Sequence, residues 1–298
     1  MTNSLRSFLF VPGDSQKKMA KAVQTAADAL VLDLEDAVSA DRIAFARKSV
    51  ANFLTEHTDR TRQQVWVRIN PLDSDKALSD LAAIVVGAPN GVLLPKCTGA
   101  AQVVLLGNYL TAMEQREGLP LGHIKILPVA TETAASMFEL GSYRECSTRL
   151  HGLTWGAEDL STAVGASTNR SDTNSYEFTY QLARSLCLLG AKAARVQAVD
   201  TIRADFRDRD GLITEVRRAR QDGFNAKFAI HPDQIHDIND GFLPDQAEVA
   251  YANSVVAAFD AAHDAGVVQL GGKMLDKPHL TQALQILELA KRRDVKSA

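Results

Sequence analysis

Short apolar runs recur between residues 7 and 230, and each ends in a polar turn or in one that contains glycine or proline. Most of these runs are followed by a helical pattern, and their spacing of about 30 residues is the length of one βα unit. Their near-continuous apolar character is typical of strands that are buried on both faces of a parallel sheet. The eight runs, which predict a TIM (β/α)8 barrel, are 7–11, 29–33, 65–69, 91–95, 124–129, 150–155, 195–199 and 227–230.

A doubly wound open sheet is the alternative architecture for alternating strands and helices. That fold usually carries a glycine-rich phosphate-binding turn after its first strand. Here the corresponding turn, residues 11–15, reads Val-Pro-Gly-Asp-Ser and contains no GxGxxG pattern. The sequence therefore favours the barrel.

The pattern changes after residue 230. Residues 245–266 form a long alanine-rich segment with apolar positions at helical spacing, and a second helical pattern runs from 280 to 292. Together these segments are too long for the last helix of a barrel. We therefore predict a catalytic barrel over residues 1–240 and a C-terminal helical arm over 241–298 that covers the barrel mouth or packs on a neighbouring subunit.

The composition is that of a soluble globular enzyme, with 46% hydrophobic and 23% charged residues in a chain of 298. The net charge of −3 gives no reason to expect a nucleic-acid or membrane partner. The first apolar run is too short for a signal peptide or a membrane span. Three scattered cysteines without a CxxC pair favour a reducing compartment, so we expect a cytoplasmic protein.

Ionisable residues follow most of the predicted strands. In a TIM barrel the chemistry lies at the C-terminal ends of the strands, so these residues are expected to converge on one mouth. In strand order they are Asp33, Glu35 and Asp36, then Arg68, Lys96, Glu132, the pair Glu158 and Asp159, and finally His231.

Glu132 and Asp159 follow neighbouring strands, and two such carboxylates can share one hard cation. Mg²⁺ commonly binds through one or two carboxylates and keeps open positions for water and substrate. Both residues also stand where a helix cap or an ion pair would explain them. The pattern alone leaves both interpretations open. Zinc is disfavoured, because the histidines show no HxH or HExxH spacing.

Arg68 is a candidate clamp for a substrate carboxylate, because a guanidinium binds a carboxylate through two hydrogen bonds and stays charged. The alternative is a buried ion pair with Glu35 or Asp36. Asp33, Glu35 and Asp36 together would orient Arg68 or Lys96, or hold water molecules bound to a metal. Lys96 would bind phosphate or carboxylate, or pair with an acid; a Schiff-base role competes poorly with a metal mechanism.

Two further polar residues are interpreted structurally on the sequence alone. His231 precedes a proline at the start of a loop, where a positional role is favoured over that of a base. Asp276 precedes the last predicted helix and is best explained there as a helix cap.

The motifs at the strand ends resemble the citrate lyase β-subunit-like and malyl-CoA lyase-like group of the HpcH/HpaI aldolase superfamily. The matching segments occur in order along nearly the whole chain, and together they are highly specific. They are RSFLFVPG at 6–13, LDLEDAV at 32–38, VRIN at 67–70, GVLLPK at 91–96, PVATETA at 128–134, WGAEDL at 155–160, AIHPDQ at 229–234 and GKMLD at 272–276.

This resemblance implies a TIM barrel in a homotrimer or hexamer, with Mg²⁺ held by Glu132 and Asp159. It implies that Arg68 grips the carboxylate of a 2-keto acid. It also changes the interpretation of Asp276, because the matching aspartate enters the active site of an adjacent subunit as the acid/base. Arg6 and Lys96 would lie toward the CoA or phosphate side.

The function implied is Mg²⁺-dependent retro-Claisen cleavage of a short 3-hydroxyacyl-CoA, of the malyl-CoA or citramalyl-CoA type. The products would be a 2-keto acid and an acetyl-CoA-like thioester. One alternative is the β subunit of a citrate lyase complex. Another is an HpaI-type aldolase that acts on free hydroxy-keto acids, and a third is a barrel retained only for binding.

Overall fold

The chain is described here by a computed structural model that covers residues 5–172, 174–262 and 266–295. It divides into two compact units, Met1–Asn239 and Asp240–Ala298, which are described separately below. No helix within the described ranges is both long and apolar enough to cross a membrane.

The first unit contains eight parallel strands in the order β5-β4-β3-β2-β1-β8-β7-β6. Two isolated parallel bridges, Ile126 with Leu150 and Val129 with Thr154, join β5 to β6, so the sheet curls into a nearly closed barrel. This confirms the predicted TIM-type fold. The strands are β1 (Ser7–Pro12), β2 (Ala29–Asp33), β3 (Gln64–Arg68), β4 (Gly91–Leu94), β5 (Lys125–Pro128), β6 (Gly152–Thr154), β7 (Gln197–Asp200) and β8 (Ala226–Ala229).

An α-helix follows each strand except β5, after which the described chain has a 3-10 helix at Ala135–Phe138. The helix α7 shows how local sequence sets the bounds: Asp208 caps its start by accepting a hydrogen bond from the Gly211 N–H, and Gly223 ends it at a φ of 111°. The helices of this unit are α1 (Gln16–Ala22), α2 (Ile43–Glu56), α3 (Ala77–Ile84), α4 (Ala100–Glu117), α5 (Ala157–Ala163), α6 (Phe178–Ala193), α7 (Arg209–Asp222) and α8 (Gln234–Gly241).

The barrel interior is packed with side chains from alternating strand positions. Phe8 meets Trp66 edge-on, with ring centroids 5.9 Å apart, and Phe228 at 5.2 Å. Gly91 makes room for this cluster, because a Cβ at that position would lie 2.2 Å from the Trp66 ring. The strands are therefore held in place at the core, which leaves the loops at their ends to carry function.

The second unit consists of two helices and a hairpin. Its first helix, α9 (Gln246–Ala261), begins with a capping box formed by Asp245 and Glu248. The predicted helix of 245–266 thus ends earlier than expected, and its residues 263–265 lie outside the described part of the chain. An antiparallel hairpin follows, with strands β9 (Val267–Leu270) and β10 (Lys273–Asp276), and α10 (Lys277–Val295) completes the unit.

The hairpin was not among the predicted elements, because the helical patterns leave the segment between them unassigned. Gly271 and Gly272 both have positive φ, 56° and 78°, as a two-residue hairpin turn requires. Its inward residues Val268 and Leu275 pack with Val255 and Phe259 of α9 in a small core. The glycines therefore serve to reverse the chain.

A buried ion pair ties α4 to the start of β5 and to the loop before β6. The Glu114 carboxylate, which is fully buried, accepts from both terminal nitrogens of Arg149 at 2.8 and 2.6 Å. It also accepts from the backbone N–H groups of Gly122 and Ile124, each at 2.8 Å. Through these four hydrogen bonds Glu114 holds both the loop between α4 and β5 and the Arg149 guanidinium.

We predict that Glu114→Ala lowers the free energy of unfolding by about 3–5 kcal/mol, because it leaves the Arg149 charge buried without a partner. The measurement is urea denaturation followed by circular dichroism. The control is Glu145→Ala, whose side chain is 82% exposed and lies 3.7 Å from Arg144; its effect should stay within about 1 kcal/mol. Equal losses in the two variants would contradict a structural role for the Glu114 pair.

Candidate active site

The charged site begins with a pair formed between the ends of two neighbouring strands. Asp33 and Arg68 are register partners at the ends of β2 and β3. The Asp33 carboxylate accepts from Nε and Nη2 of Arg68 at 2.7 and 2.6 Å, which is a two-pronged charged hydrogen bond. It also accepts from the N–H groups of Glu35 and Ala37. Asp33 therefore fixes both the arginine and the loop that follows β2.

The remaining terminal nitrogen of Arg68 faces the two other acids of that loop. Nη1 lies 2.8 Å from Glu35 and 3.3 Å from Asp36, and the guanidinium also lies over the ring of Phe10, 4.9 Å from its centroid. Burial alone would lower the pKa of Arg68, but the hydrogen bonds and charges of its acidic neighbours, Asp33 foremost, hold it above its ordinary value. Arg68 is thus a permanent and well-oriented cation at the mouth.

Lys96 joins this acidic cluster to the sixth strand. Its Nζ lies 2.5 Å from Glu35, 3.3 Å from Asp159 and 3.9 Å from Asp36. Its backbone is left-handed, with a φ of 51°, an uncommon conformation for a residue other than glycine. Burial disfavours the ammonium, but Glu35, followed by the other two acids, outweighs this effect and raises the pKa of Lys96. The sequence left open whether Lys96 binds phosphate or carboxylate or pairs with an acid, and in the structure it pairs with acids.

Glu132 follows β5 and is 6% exposed. One carboxylate oxygen accepts the backbone N–H of Lys96 at 2.5 Å, so Glu132 binds to the adjacent loop after β4. Burial, reinforced by the charge of Asp159, raises the pKa of Glu132 to about 8. A buried carboxylate with so high a pKa lacks sufficient positive charge around it.

Asp159 lies in the first turn of α5, which follows β6. Its side chain is about one-third exposed and faces the Lys96 ammonium. Both Glu132 and Asp159 therefore contact Lys96, one through the backbone and the other through the side chain, and the charge of Asp159 acts on the pKa of Glu132. The two carboxylates that were predicted to share a cation are brought together.

This donor set fits a hard divalent cation. Two carboxylates supply oxygen ligands, and a cation between them would provide the charge that Glu132 lacks. No group of three or more His, Cys, Asp or Glu side chains suited to a metal occurs in the described part of the chain. A cation at Glu132 and Asp159 would therefore keep positions for water and substrate, as Mg²⁺ sites commonly do.

Glu35 sits between the two basic residues of the site. One of its carboxylate oxygens pairs with Lys96 and the other with Arg68. Burial is the largest influence and raises the pKa of Glu35 to about 7, although both cations act in the opposite direction. Glu35 therefore orients the two cations and changes its own charge near neutral pH.

A polar cavity of about 590 Å³ opens beside the two acids Asp36 and Asp159. Its far wall is the loop after α5, which contributes Ser167, Thr168 and Asn169. The Asn169 amide nitrogen is buried and has no hydrogen-bond partner in the described structure. This wall offers hydroxyl and amide groups to a polar ligand.

Arg6 does not belong to this group of residues, contrary to the expectation that it lies on the CoA side. It precedes β1 and is therefore at the N-terminal end of the barrel, opposite the mouth. Asp28 binds its Nε and Nη2 at 2.8 and 2.9 Å and satisfies its charge. The arginine of the RSFLFVPG segment thus has a structural role.

His231 and Asp276 are each engaged locally. His231 stacks on Phe206, with ring centroids 4.6 Å apart, in keeping with a positional role. Asp276 belongs to the second unit, where its carboxylate lies 2.5 Å from Nδ1 of His279 in the first turn of α10. Its acid/base role stays a prediction from the family resemblance.

Three residues of the site were missed or undervalued on the sequence. Asp33, and not Glu35 or Asp36, is the main partner of Arg68; the register of two adjacent predicted strands would have shown this. Phe10 and Gly156 lie within the family motifs at 6–13 and 155–160 but were given no role, because an aromatic residue in a strand and a glycine in a loop are both common. Gly156 matters because a Cβ there would lie 2.9 Å from Cγ of Glu132.

A TIM-type barrel with buried acids, an arginine and a lysine at the C-terminal ends of its strands is the framework of a barrel enzyme. The chain belongs to the HpcH/HpaI aldolase/citrate lyase family, which matches residues 6–232. This confirms the family and the enzyme class inferred from the motifs.

Individual relatives cover nearly the whole chain. It is 34% identical over 288 residues to citrate lyase subunit beta of Haemophilus influenzae, a match that covers 96% of this chain and 97% of the relative. It is 33% identical over 287 residues to a (3S)-malyl-CoA thioesterase of Cereibacter sphaeroides, covering 96% and 94%. Among solved structures, it is similar to the protein CitE from Mycobacterium tuberculosis in complex with magnesium, acetoacetate and coenzyme A, with a TM-score of 0.83, 32% identity and coverage of 98% and 100%.

We predict that Gly156→Ala weakens Mg²⁺ binding about tenfold or more, because the added methyl group displaces the buried Glu132 carboxylate. Isothermal titration calorimetry with MgCl₂ measures the affinity, and thermal unfolding reports on the fold. Gly141→Ala is the matched control, since a Cβ there meets nothing within 4 Å. Unchanged affinity in Gly156→Ala would show that Glu132 does not contribute to the metal site.

Proposed function

We propose that this protein is a Mg²⁺-dependent carbon–carbon lyase that cleaves a short 3-hydroxyacyl-CoA of the malyl-CoA or citramalyl-CoA type. The observation that carries the proposal is the convergence of Glu132 and Asp159 beside Arg68 and Lys96 at the barrel mouth. It is supported by similarity to relatives named for citrate lyase and malyl-CoA chemistry, and to a CitE structure that contains magnesium and coenzyme A.

In this proposal Glu132 and Asp159 hold the ion. Bound Mg²⁺ supplies Lewis-acid chemistry, which lowers the pKa of a nearby hydroxyl and stabilises negative charge on oxygen. The high pKa of Glu132 supports this assignment, because a buried carboxylate that is short of positive charge is suited to a divalent ion.

Arg68 would bind the carboxylate of the keto-acid half of the substrate. Asp33 occupies Nε and Nη2 and so fixes the plane of the guanidinium. Nη1 would then bind the substrate carboxylate. That carboxylate would displace Asp36, whose side chain is 56% exposed and lies 3.3 Å from Nη1. Glu35 holds Arg68 and Lys96 in position, and Lys96 is left to pair with a phosphate or carboxylate of the CoA half.

The bond changes follow from these placements. A water molecule takes the proton from the substrate hydroxyl, the oxygen electron pair forms a new carbonyl, and the adjacent carbon–carbon bond breaks. The products are a 2-keto acid and the enolate of an acetyl-CoA-like thioester, which then takes up a proton. We propose Asp276, from a neighbouring subunit of a homotrimer or hexamer, as the acid that supplies it.

Hydrolysis of the thioester is a second candidate activity, because one similar relative is named a (3S)-malyl-CoA thioesterase. The two reactions give different products: cleavage releases glyoxylate and acetyl-CoA from malyl-CoA, whereas hydrolysis releases malate and free CoA. A citrate lyase β subunit is the third candidate, on the strength of the Haemophilus influenzae relative. Such a subunit would act on an acyl-carrier-bound thioester and need partner proteins.

The decisive experiment incubates the purified protein and Mg²⁺ with malyl-CoA, citramalyl-CoA and citryl-CoA, and measures keto acid, acetyl-CoA and free CoA. Keto acid and acetyl-CoA in equal amounts are expected. Glu132→Gln and Asp159→Asn should each lower kcat about a hundredfold or more, since each removes a ligand charge. Glu145→Gln, an exposed acid remote from the mouth, is the control. Release of free CoA without keto acid would show that the protein is a thioesterase and not a lyase. Full activity of both variants would refute the metal assignment.

We expect Asp276→Asn to cut kcat about a hundredfold while Mg²⁺ affinity stays unchanged, because the amide cannot exchange the proton. Asparagine caps helices as well as aspartate does, so the start of α10 should be preserved. Thermal unfolding verifies this, and Asp260→Asn, an exposed acid of the same unit, is the control. An unchanged rate would return Asp276 to a capping role.

A further inference from the structure

A second cavity, of about 710 Å³, lies at the N-terminal end of the barrel. Its wall is formed by residues at or just before the starts of β3 to β8, so it faces away from the catalytic mouth. Strand β3 illustrates the separation, because its first residue, Gln64, lines the cavity and its last residue, Arg68, belongs to the active site. Four strand residues span about 13 Å. The proposed lyase function does not use this cavity.

The cavity is lined by basic and amide side chains. Lys125, Arg195, His123 and His151 contribute to its wall, and no Asp or Glu occurs among the described residues that line it. Within the described ranges neither Lys125 nor Arg195 has an ion-pair partner, whereas Arg6, Arg68, Lys96 and Arg149 each have one. Two positive charges therefore face this space without an acid to neutralise them.

The amides of the wall are arranged as donors. The side-chain oxygen of Asn90 accepts the backbone N–H of Val65 at 2.8 Å, and that of Asn225 accepts from Lys192 at 3.2 Å. Because their oxygens are engaged, these side chains have NH₂ groups left to offer. Amide donors that lie next to lysine and arginine suit an acceptor-rich ligand.

Arg195 adopts a left-handed backbone conformation that is unfavourable for residues other than glycine. It lies just after α6, at the left-handed position that usually ends a helix with glycine, and its φ is 57°. The Val196 N–H closes the turn by donating to the Ala191 carbonyl at 3.0 Å. Glycine would satisfy the backbone here, whereas the exposed arginine adds a positive charge at the helix C-terminus, where the helix dipole favours it.

His151 forms a neutral part of the same wall. Burial, with a smaller contribution from Lys125, lowers its pKa to about 4. Gln197 donates its amide to the Leu5 carbonyl and directs its oxygen to Nε2 of His151, 3.0 Å away. The ring packs against Trp66, with centroids 4.9 Å apart. The cationic groups of the cavity thus lie beside the packed rings of His151 and Trp66.

We propose that this cavity is a binding site for a small organic polyanion, a molecule with two or more phosphate or carboxylate groups, and that Lys125 and Arg195 supply the charge that binds it. Guanidinium and ammonium groups bind such anions through charge-assisted hydrogen bonds. The site is separate from the catalytic mouth and does not depend on a metal.

The test is isothermal titration calorimetry of the metal-free protein with pyrophosphate and, separately, with tricarballylate. Saturable binding of one ligand per chain is expected for at least one probe, with an affinity that falls as NaCl is raised. The preferred probe tells whether the natural ligand is a phosphate or a carboxylate compound. Absence of saturable binding for both probes would overturn the proposal.

Two variants locate the binding. Lys125→Ala and Arg195→Gly should each weaken it about tenfold or more. Arg195→Gly should not lower the melting temperature, because glycine prefers the backbone conformation at that position. Arg217→Ala, which removes an equal charge from the exposed face of α7, is the control and should bind as the unmodified protein does. Binding that survives both cavity substitutions, or that is lost equally in the control, would also overturn the proposal.

Discussion

The site depends on the two-pronged hydrogen bond between Asp33 and Arg68. These residues are register partners on adjacent strands, so the sheet itself brings the carboxylate and the guanidinium together. Asp33 then holds the loop after β2 through two backbone N–H groups, which places Glu35 against both Arg68 and Lys96. Lys96 in turn contacts Glu132 through its backbone and Asp159 through its side chain. One pair formed by strand register thus organises charges from the ends of five strands.

The two ends of the barrel have opposite electrostatic character. At the mouth burial, reinforced by neighbouring carboxylates, raises the pKa of Glu132 to about 8 and that of Glu35 to about 7, although Lys96 acts against both shifts. At the other end Lys125 and Arg195 face a cavity whose described lining has no acid. A surplus of carboxylates suits a cation, and a surplus of nitrogen donors suits an anion. The same strands therefore present two different chemistries.

Much of the barrel was predictable, because a strand buried on both faces gives a continuous apolar run. The run at 29–33 coincides with β2, and most of the others were displaced by only one or two residues. The positions of Glu132 and Asp159 near each other followed from strand ends meeting at one rim. The register of β2 and β3 could have singled out Asp33 as the main partner of Arg68, whereas the close approach of Gly156 to Glu132 could not be foreseen, because loop conformation depends on tertiary packing. Arg6 was misplaced because its role was taken from the family resemblance, although its position just before the first predicted strand already puts it at the N-terminal end of the barrel.

The barrel is not equally bonded around its circumference. Among the described residues β5 and β6 are joined by two isolated bridges, Ile126 with Leu150 and Val129 with Thr154, whereas the other neighbouring strands pair in ladders. Glu132 follows β5 and Asp159 follows β6, so the two proposed metal ligands stand on either side of this seam. An ion shared by them would act as a cross-link between two strands that form no continuous ladder, and ligation would then stiffen the scaffold as well as equip it for chemistry.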